Sequence, residues 1–332
     1  MKAPHFWSSG LDPKSREAAP LTRALLTPLA KLYTWGVRRK LRRAISTKVS
    51  AKVICVGNVT VGGVGKTPIV KAIRDLLSNK GFRVATLSRG YGGTKKGPLK
   101  IDPIQHTSAD VGDEPMMLST SGESWIGQDR AQTAKAMVAD GVDIIVMDDG
   151  MQNPSLVIDL TLLVIDAAAP FGNGYVLPKG PLREPVSDGL DRCDMVILMG
   201  DADTYAISEK FGKPVLRASL KPDNKIPDGP LIAFAGIGRP EKFFDTVKSA
   251  GGNLVEGVSY GDHYVYTPSD LKFLRALAKT HDARLITTTK DAARLPVDQR
   301  TDILTLPVTA KFEDTTALEA ILAPILKSPD NG

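Results

Sequence analysis

Short apolar runs alternate with stretches of helical periodicity over most of the chain. In the first two thirds, the apolar runs are residues 53–56, 83–88, 143–147, 160–165, 194–199 and 214–220. Between them, apolar side chains recur three or four positions apart, as in Ile69, Ile73 and Leu77, which is the spacing of one helical face. This alternation predicts an α/β fold with a mostly parallel sheet, helices on both faces, and ligands at the carboxyl ends of the strands.

A second, smaller α/β unit is predicted after residues 221–230, a polar, proline-containing segment typical of a linker. Its strands are expected at 231–235, 253–259 and 284–289, and its helices at 240–250, 269–281 and 314–327. In the first unit, residues 92–112 are polar and glycine-rich, so they predict a loop or hairpin before a short helix from Met116.

Residues 20–45 predict a basic amphipathic helix. Its large apolar side chains are Leu21, Leu25, Leu29, Leu32, Tyr33 and Trp35. No acidic residue lies between Glu17 and Asp75, and the basic cluster before the first strand is Arg23, Lys31, Arg38, Arg39, Lys40, Arg42, Arg43, Lys48 and Lys52. The helix either lies in a membrane interface or packs on the core with solvated arginines. The basic cluster favours an anionic surface.

The composition is that of a soluble globular protein whose length is typical of about two domains. The 332 residues are 42% hydrophobic and 24% charged, with a net charge of +6. Cys55 and Cys193 lie in or beside apolar runs, so buried thiols, no disulfide and a reducing compartment are expected. The histidines lack paired metal-ligand spacing, which argues against zinc. Neither a secretory signal nor a membrane-spanning stretch is expected.

A glycine-rich loop follows the first apolar run and ends in Gly65-Lys66-Thr67, with Pro68 in the first turn of a helix. Strand, loop and helix in this order form a phosphate cradle, because backbone N–H groups and the positive end of the helix face the anion. Lys66 would reach the terminal phosphates and Thr67 would hold Mg²⁺.

The loop departs from the pattern G-x-x-x-x-G-K-[ST] at Thr60, where that pattern has glycine. Gly57, Gly62 and Gly63 supply flexibility elsewhere in the loop. The alternative is a glycine-rich strand-to-helix turn that binds nothing, and the Lys-Thr-Pro sequence at the junction argues against it.

Carboxylates at two places are candidates for chemistry. Asp148 and Asp149 end an apolar run, where a carboxylate can hold Mg²⁺ directly or through water, although solvated turn aspartates are the alternative. Asp113 and Glu114 are placed in a loop before Pro115, and a carboxylate there can accept a proton from an attacking hydroxyl. His263 is another candidate, but a lone loop histidine is more often a surface or packing residue.

Three arginines could clamp phosphates bidentately, namely Arg89, Arg130 and Arg183. Each of them is, taken alone, more often a solvated or salt-bridged residue. Arg183 lies in a long connection rich in proline and glycine, residues 167–192, and loops of this length are often functional.

Taken in order, these motifs resemble the tetraacyldisaccharide 4'-kinase family, the lipid A 4'-kinases, over most of the chain. The motifs that carry the resemblance are GNVTVGGVGKTP (57–68), SRGYGG (88–93), VGDEP (111–115), MDDGMQ (147–152), PLREP (181–185), FAGIGRPEKFF (234–244), GDHYVY (261–266) and TTKDAARLP (288–296). The family's loop has this same form, so Thr60 is no defect. Asn153 stands where the family has histidine, so that histidine's role cannot be assigned.

The resemblance implies a kinase that moves the γ-phosphate of ATP, with Mg²⁺, to the 4'-hydroxyl of tetraacyldisaccharide 1-phosphate in lipid A biosynthesis. The implied catalytic residues are Asp113 as base, His263 and Lys66. The implied nucleotide-binding residues are Gly62, Gly63, Gly65, Lys66, Thr67, Arg89 and Asp149. The implied substrate-binding residues are Tyr91, Glu114, Arg130, Arg183 and Glu184. The implied metal ligands are Thr67, Asp148 and Glu114.

The chain is predicted to consist of three regions. Residues 1–48 form an N-terminal membrane-interface helix region, 49–220 a P-loop nucleotide-binding kinase domain, and 221–332 a smaller C-terminal α/β domain. The protein is expected to be a monomer without nucleic-acid partners, bound peripherally to an anionic surface at the cytoplasmic face of a Gram-negative inner membrane.

Two other classes of protein would use the same cradle. A nucleotide-switch or metallochaperone ATPase or GTPase would have partner-stimulated hydrolysis, but the chain has no Cys-rich or His-rich delivery tract. A nucleic-acid-binding ATPase would use the basic N-terminus. The Leu, Tyr and Trp residues at helical spacing within that cluster suit a lipid interface better.

Overall fold

The computed structural model describes residues 3–200 and 211–326. The predicted end of the last helix at 327 lies outside these residues. The helices are α1 (Pro20–Arg43), α2 (Lys66–Ser78), α3 (Ser108–Val111), α4 (Asp113–Ser119), α5 (Arg130–Ala139), α6 (Val186–Asp191), α7 (Pro240–Ser249), α8 (Pro268–Thr280), α9 (Thr289–Arg294) and α10 (Thr315–Leu326). Two short 3₁₀ segments cover His5–Trp7 and Val297–Gln299.

The strands form two sheets. They are β1 (Lys52–Gly57), β2 (Val84–Ser88), β3 (Leu99–Lys100), β4 (Ser124–Ile126), β5 (Ile144–Asp148), β6 (Leu160–Asp166), β7 (Met195–Met199), β8 (Val215–Pro222), β9 (Pro230–Ala235), β10 (Asn253–Ser259), β11 (Arg284–Thr288), β12 (Ile303–Leu306) and β13 (Val308–Phe312). The larger sheet has the order β13-β8-β7-β6-β1-β5-β2-β4-β3, and the smaller has β10-β9-β11-β12.

The predicted mostly parallel α/β architecture is confirmed. In the nine-stranded sheet only β3 and β13, the two edge strands, run antiparallel to their neighbours. All pairings of the four-stranded sheet are parallel. We call the nine-stranded sheet with its helices the large-sheet unit, and the four-stranded sheet with α7, α8 and α9 the small-sheet unit.

The end of the chain returns to the large-sheet unit, which the predicted division at residue 221 did not anticipate. β13 pairs with β8, so β8 extends to Pro222 through part of the predicted linker. Leu318 and Leu322 of α10 are buried in one core cluster with Ile69 and Ile73 of α2. Burial of this apolar face of α10 accounts for the return, because α10 would otherwise expose it to water.

Helix α4 begins at Asp113, three residues earlier than the predicted start at Met116. Gly112 precedes it with φ 91°, a left-handed conformation that favours glycine. Asp113 and Glu114 therefore stand in the first turn of a helix and not in a loop, and acidic side chains there interact favourably with the helix dipole. The strand β3 and the helix α3 lie in residues 92–112, which were predicted as a loop or hairpin.

Contacts between the two units lie beside the carboxyl edge of the large sheet. Asp166, buried at the end of β6, accepts hydrogen bonds from Arg239 and Lys242. Helix α9 of the small-sheet unit lies against α4 of the large-sheet unit. The small-sheet unit is thereby held over the edge where the strands of the large sheet end.

Helix α1 is continuous through Pro28 and Gly36 and lies largely outside the core, with Ala30 its one buried residue. Most of its large apolar side chains face solvent, and Leu21 and Leu25 are 82% and 79% exposed. Arg38 anchors the helix through two hydrogen bonds to Asp188 of α6. Within the described residues, no helix combines the length and the apolar character needed to cross a bilayer.

Candidate active site

The glycine loop connects β1 to α2, and Lys66 and Thr67 are the first two residues of the helix. Gly62 and Gly65 have φ values of 105° and 90°, which L side chains rarely adopt. A Cβ on Gly65 would also lie 3.2 Å from the Met199 side chain. The loop therefore needs glycine at these positions, and it leads directly into the N-terminus of the 13-residue helix α2, whose first N–H groups lack helical partners.

Lys66 is held at the mouth of this loop by polar groups. Its Nζ donates to Asn58 Oδ1 at 3.1 Å and lies 3.7 Å from Asp149 Oδ1. Asn58 in turn donates through Nδ2 to the carbonyl oxygen of Thr60 at 2.7 Å. Phosphate oxygens can replace these acceptors around the ammonium group, which is the use the sequence predicts for Lys66.

The register of the central strands brings Asp148 to the same place. β1 and β5 are parallel neighbours, with Val56 opposite Asp148. Thr67 Oγ1 donates to Asp148 Oδ2 at 3.3 Å. Burial raises the pKa of Asp148 to about 7, and the negative charge of Glu114 adds to this effect.

The surroundings of Asp148 fit a bound Mg²⁺. Its Oδ1 is buried and has no hydrogen-bond partner among the described residues, which is costly for a carboxylate unless a cation takes up the oxygen. Within residues 3–200 and 211–326, no group of three or more His, Cys, Asp or Glu side chains could by itself hold a metal. Mg²⁺ bound by one or two carboxylates and substrate phosphates needs no such group.

Asp149 is paired with Arg183 from the long connection 167–192. Arg183 Nη1 lies 2.8 Å from both carboxylate oxygens of Asp149. Burial acts to raise the pKa of Asp149, but the charges of Lys66 and Arg183 outweigh it and lower the pKa. Asp149 has φ 59°, a left-handed conformation that is uncommon outside glycine. This bend at the end of β5 turns the chain beside the glycine loop.

Asp113 and His263 are in contact across the boundary between the two units. Asp113 Oδ2 lies 3.2 Å from His263 Nδ1 and accepts a hydrogen bond from Arg294 Nε at 2.7 Å. Burial acts to raise the pKa of Asp113, but the His263 hydrogen bond and the charge of Arg294 outweigh it, so the pKa lies below its usual range. Asp113 is therefore a carboxylate at neutral pH, as a proton acceptor must be.

Two further predicted site residues, Tyr91 and Glu114, lie beside this pair. Tyr91 is exposed, and its ring centroid lies 6.3 Å from that of His263. Glu114 accepts a hydrogen bond from Lys290 at 3.1 Å, and its charge acts on Asp148. Arg89 is exposed. Tyr91, Arg89 and His263 are thus open to solvent, whereas Asp148 is buried.

Arg130 and Glu184 have different surroundings from those expected of substrate-binding residues. Arg130 is 2% exposed and donates to the Gly127 carbonyl, and burial lowers its pKa to about 10. Glu184 is fully buried and accepts hydrogen bonds from Gln152 and Arg192. A substrate would have to displace these partners of Glu184, so the structure favours a supporting role for it.

Asn153, where the resemblance leads us to expect histidine, accepts a hydrogen bond from the Ser155 backbone through Oδ1 at 3.0 Å. The side chain thereby stabilises the turn after Asp149, and this is the local role that the structure gives it.

Sequence reasoning assigned no role to three residues that contact the predicted ones. They are Asn58 beside Lys66, Lys290 beside Glu114, and Arg294 beside Asp113. Lys290 and Arg294 both lie in the TTKDAARLP motif. This motif supported the resemblance, but no role was predicted for these two residues. The sequence signal that could have identified them is a pair of basic residues in a helix that directly follows a strand, because ligands bind at such strand ends.

The position of the glycine loop at the carboxyl edge of a parallel sheet places this chain in the P-loop class of nucleotide-binding proteins. Comparisons with known proteins give the family. The family model "LpxK: Tetraacyldisaccharide-1-P 4'-kinase" matches residues 22–327. The chain therefore belongs to the LpxK family.

Individual relatives agree with this assignment. The chain is 61% identical to the tetraacyldisaccharide 4'-kinase of Hyphomonas neptunium, with 98% of each chain covered. It is 46% identical to that of Maricaulis maris, with 98% of this chain and 97% of the relative covered. A crystal structure of LpxK from Aquifex aeolicus, described as an "apo" form in complex with ATP, is similar with a TM-score of 0.73 and 27% identity. The similarity covers 92% of this chain and all of the Aquifex chain.

The glycine loop yields a prediction for nucleotide binding. Lys66→Met is expected to weaken Mg-ATP binding by about 10- to 100-fold, because a charge-assisted hydrogen bond to phosphate is lost. Isothermal titration calorimetry measures the Kd. The matched control is Lys71→Met in the same helix, because Lys71 pairs with Asp75. Equal affinities of the two variants would contradict phosphate binding at this loop.

Proposed function

We propose that this protein transfers the γ-phosphate of ATP to the 4'-hydroxyl of a tetraacyldisaccharide 1-phosphate. Family membership supports the reaction class and the substrate. The observation that carries the proposal is the ionised Asp113, paired with His263, in the helix turn that also holds Glu114. Glu114 is near enough to Asp148 for its charge to act there. A proton acceptor and a phosphate cradle therefore share one cleft.

Each side of the cleft has a separate task in this reaction. Asp113 accepts the proton of the attacking hydroxyl, and His263 orients the carboxylate. Lys66 and the N–H groups at the start of α2 stabilise the negative charge on the transferring phosphoryl group. The transition state of phosphoryl transfer is loose, so positioning and charge neutralisation supply most of the catalysis.

Mg²⁺ would be held by Thr67 and Asp148, with Glu114 as a further ligand. The support is the unpartnered Asp148 Oδ1 and the pKa of that carboxyl group, which burial raises to about 7. Bound Mg²⁺ would neutralise negative charge on the phosphates.

The acylated acceptor has a candidate groove beside α1. The groove has a volume of about 880 Å³ between α1 and the connection 174–186. Its basic lining residues are Lys31, Arg38, Arg39, Arg42, Arg43 and Lys179. Trp35, Tyr175 and Val176 supply apolar surface in the same groove. Cations beside apolar side chains suit a molecule that carries both a phosphate and acyl chains.

Peripheral attachment to an anionic membrane surface is part of the proposal. Leu21, Leu25, Leu29 and Leu32 are all more than half exposed on α1, and this unpartnered apolar face continues into the basic end of the helix. Leucines that insert at the level of the headgroups, next to arginines that attract anionic lipid, explain both features. We place the enzyme at the cytoplasmic face of the inner membrane, where ATP and the acylated substrate meet.

A direct assay tests the reaction. Purified protein with Mg-ATP and tetraacyldisaccharide 1-phosphate should form the 4'-phosphorylated product. Asp113→Asn should lower kcat by about 10²- to 10⁴-fold, because general-base assistance is lost, and should leave the Kd for ATP unchanged. Absence of product with the unaltered protein would contradict the proposed function.

The control for that assay is Asp302→Asn, since Asp302 is a partly exposed aspartate paired with Arg275 in the small-sheet unit. It should keep the kcat of the unaltered protein. An equal loss of kcat in both variants would argue against a specific role for Asp113.

The exposed face of α1 yields a prediction for membrane binding. Leu25→Glu is expected to reduce co-sedimentation with phosphatidylglycerol-containing vesicles by about tenfold, because it removes apolar burial and adds repulsion. Phe273→Glu is the control, because Phe273 is an exposed apolar residue on α8 of the small-sheet unit. Equal retention of the Leu25→Glu and unaltered proteins on vesicles would overturn the assignment of this face.

A further inference from the structure

Arg294, the last residue of α9, connects the small-sheet unit to the carboxylate of Asp113. The side chain is 6% exposed, so its guanidinium is almost completely withdrawn from solvent. Its Nε donates to Asp113 Oδ2 at 2.7 Å, and its Nη2 lies 3.2 Å from His263 Nδ1. One guanidinium group therefore contacts both members of the Asp113–His263 pair.

Asp291 fixes the orientation of this guanidinium through a nitrogen that does not contact Asp113. Arg294 Nη1 donates to Asp291 Oδ1 at 3.0 Å and to the Gly236 carbonyl at 2.8 Å. Asp291 is fully buried, and its Oδ1 also accepts hydrogen bonds from Tyr266 and from the Gly236 backbone N–H, each at 3.0 Å. Because the guanidinium is rigid and planar, holding Nη1 determines where Nε points.

His263 is placed by the same backbone group as Arg294. Its backbone N–H donates to the Gly236 carbonyl oxygen at 3.1 Å, the oxygen that also accepts from Arg294 Nη1. His263 has φ 57°, a left-handed conformation that is uncommon outside glycine and is maintained by its surroundings. Gly236 thus sets the spacing between the two side chains that meet Asp113.

Both contacts use the same oxygen of Asp113. Arg294 Nε and His263 Nδ1 approach Oδ2, and Oδ1 accepts no hydrogen bond from any residue in 3–200 or 211–326. A carboxylate held through one oxygen can rotate little, so the other oxygen keeps a constant direction. Such an arrangement leaves Oδ1 as the atom that is free to accept a proton.

We propose that Arg294 is a positioning residue for phosphoryl transfer, which holds Asp113 through Oδ2 so that Oδ1 faces the acceptor hydroxyl. This inference rests on the proposed role of Asp113 as the base. In the step it serves, the hydroxyl proton moves to Oδ1 while the hydroxyl oxygen forms a bond to the γ-phosphorus. The bond from that phosphorus to the bridging oxygen breaks, and ADP leaves with the electron pair.

A purely structural role for Arg294 is the competing explanation, since α9 also lies against α4. The two explanations differ in how Arg294 and Asp113 combine. A residue that acts only through Asp113 has little left to do once the carboxylate is gone. A residue that only joins the units lowers activity by the same factor whether or not Asp113 is intact.

The experiment is a double-mutant cycle with Arg294→Met, Asp113→Asn and the double variant, assayed with Mg-ATP and tetraacyldisaccharide 1-phosphate. Arg294→Met alone should lower kcat by about 100-fold, the scale of a misplaced catalytic group, with the KM for ATP unchanged within about twofold. In the Asp113→Asn protein, the same substitution should lower kcat by less than about threefold further. Full multiplication of the two losses would overturn the inference, as would a rise in KM with unchanged kcat.

Controls make each outcome decisive. Arg275→Met removes an arginine that is likewise paired with an aspartate in the small-sheet unit, and it should keep the kcat of the unaltered protein. Arg294→Lys keeps the charge and replaces Arg294→Met in the cycle if the methionine variant does not fold, with the same expectation of non-additivity. An inactive unaltered protein would refute the proposed function, whereas an active one with multiplied losses refutes this inference alone.

Discussion

The site depends on the pairing of β1 and β5 in the middle of the large sheet. Because these neighbours are parallel, both end at the same edge, and their register sets Val56 opposite Asp148. The glycine loop and the two aspartates therefore meet without any further folding element. Helix α2 continues from the loop and buries Ile69 and Ile73 in the core, so the phosphate cradle cannot shift relative to Asp148 without disturbing packing.

Burial acts to raise the pKa of two carboxyl groups at this cleft, but their net pKa shifts have opposite directions. For Asp148, burial outweighs the nearby cation and the pKa rises to about 7. For Asp113, the partners His263 and Arg294 outweigh burial and the pKa falls. This contrast supports the tasks proposed for them, because a buried oxygen without a partner favours a bound cation, whereas a carboxylate kept ionised can accept a proton. The partners of Asp113 come from the small-sheet unit, so the base is complete only when both units are in place.

The glycine loop and the elements on either side of it could be predicted from the sequence, because strand, loop and helix are contiguous in the chain. The family and the α/β fold were likewise predicted and are confirmed. The predicted start of α4 was wrong by three residues. The sequence did contain a helix-start signal there, since Gly112 precedes two acidic residues and Pro115. The contacts of Arg294 and Asp291 could not be predicted, because the sequence does not distinguish a buried arginine from an exposed one.

Long-range packing accounts for the other differences. β13 is a short edge strand, and only its partner β8, far earlier in the chain, shows which sheet it joins. Glu184 was expected at the substrate, but its neighbours Gln152 and Arg192 enclose it completely. Such enclosure depends on the contact of residue 152 with the segment 184–192, and local sequence patterns carry no signal for a contact between separate segments.

The central claim is that Asp113 is the base and is kept ionised from across the cleft. The pH dependence of kcat/KM for the unaltered protein and for His263→Ala tests it most directly, with His281→Ala as the control histidine. Loss of His263 removes a contribution that lowers the pKa of Asp113, so that pKa rises and activity is lost at a higher pH as the solution is acidified. The acidic limb is expected to shift to higher pH for His263→Ala alone. Coincident acidic limbs in all three proteins would contradict it.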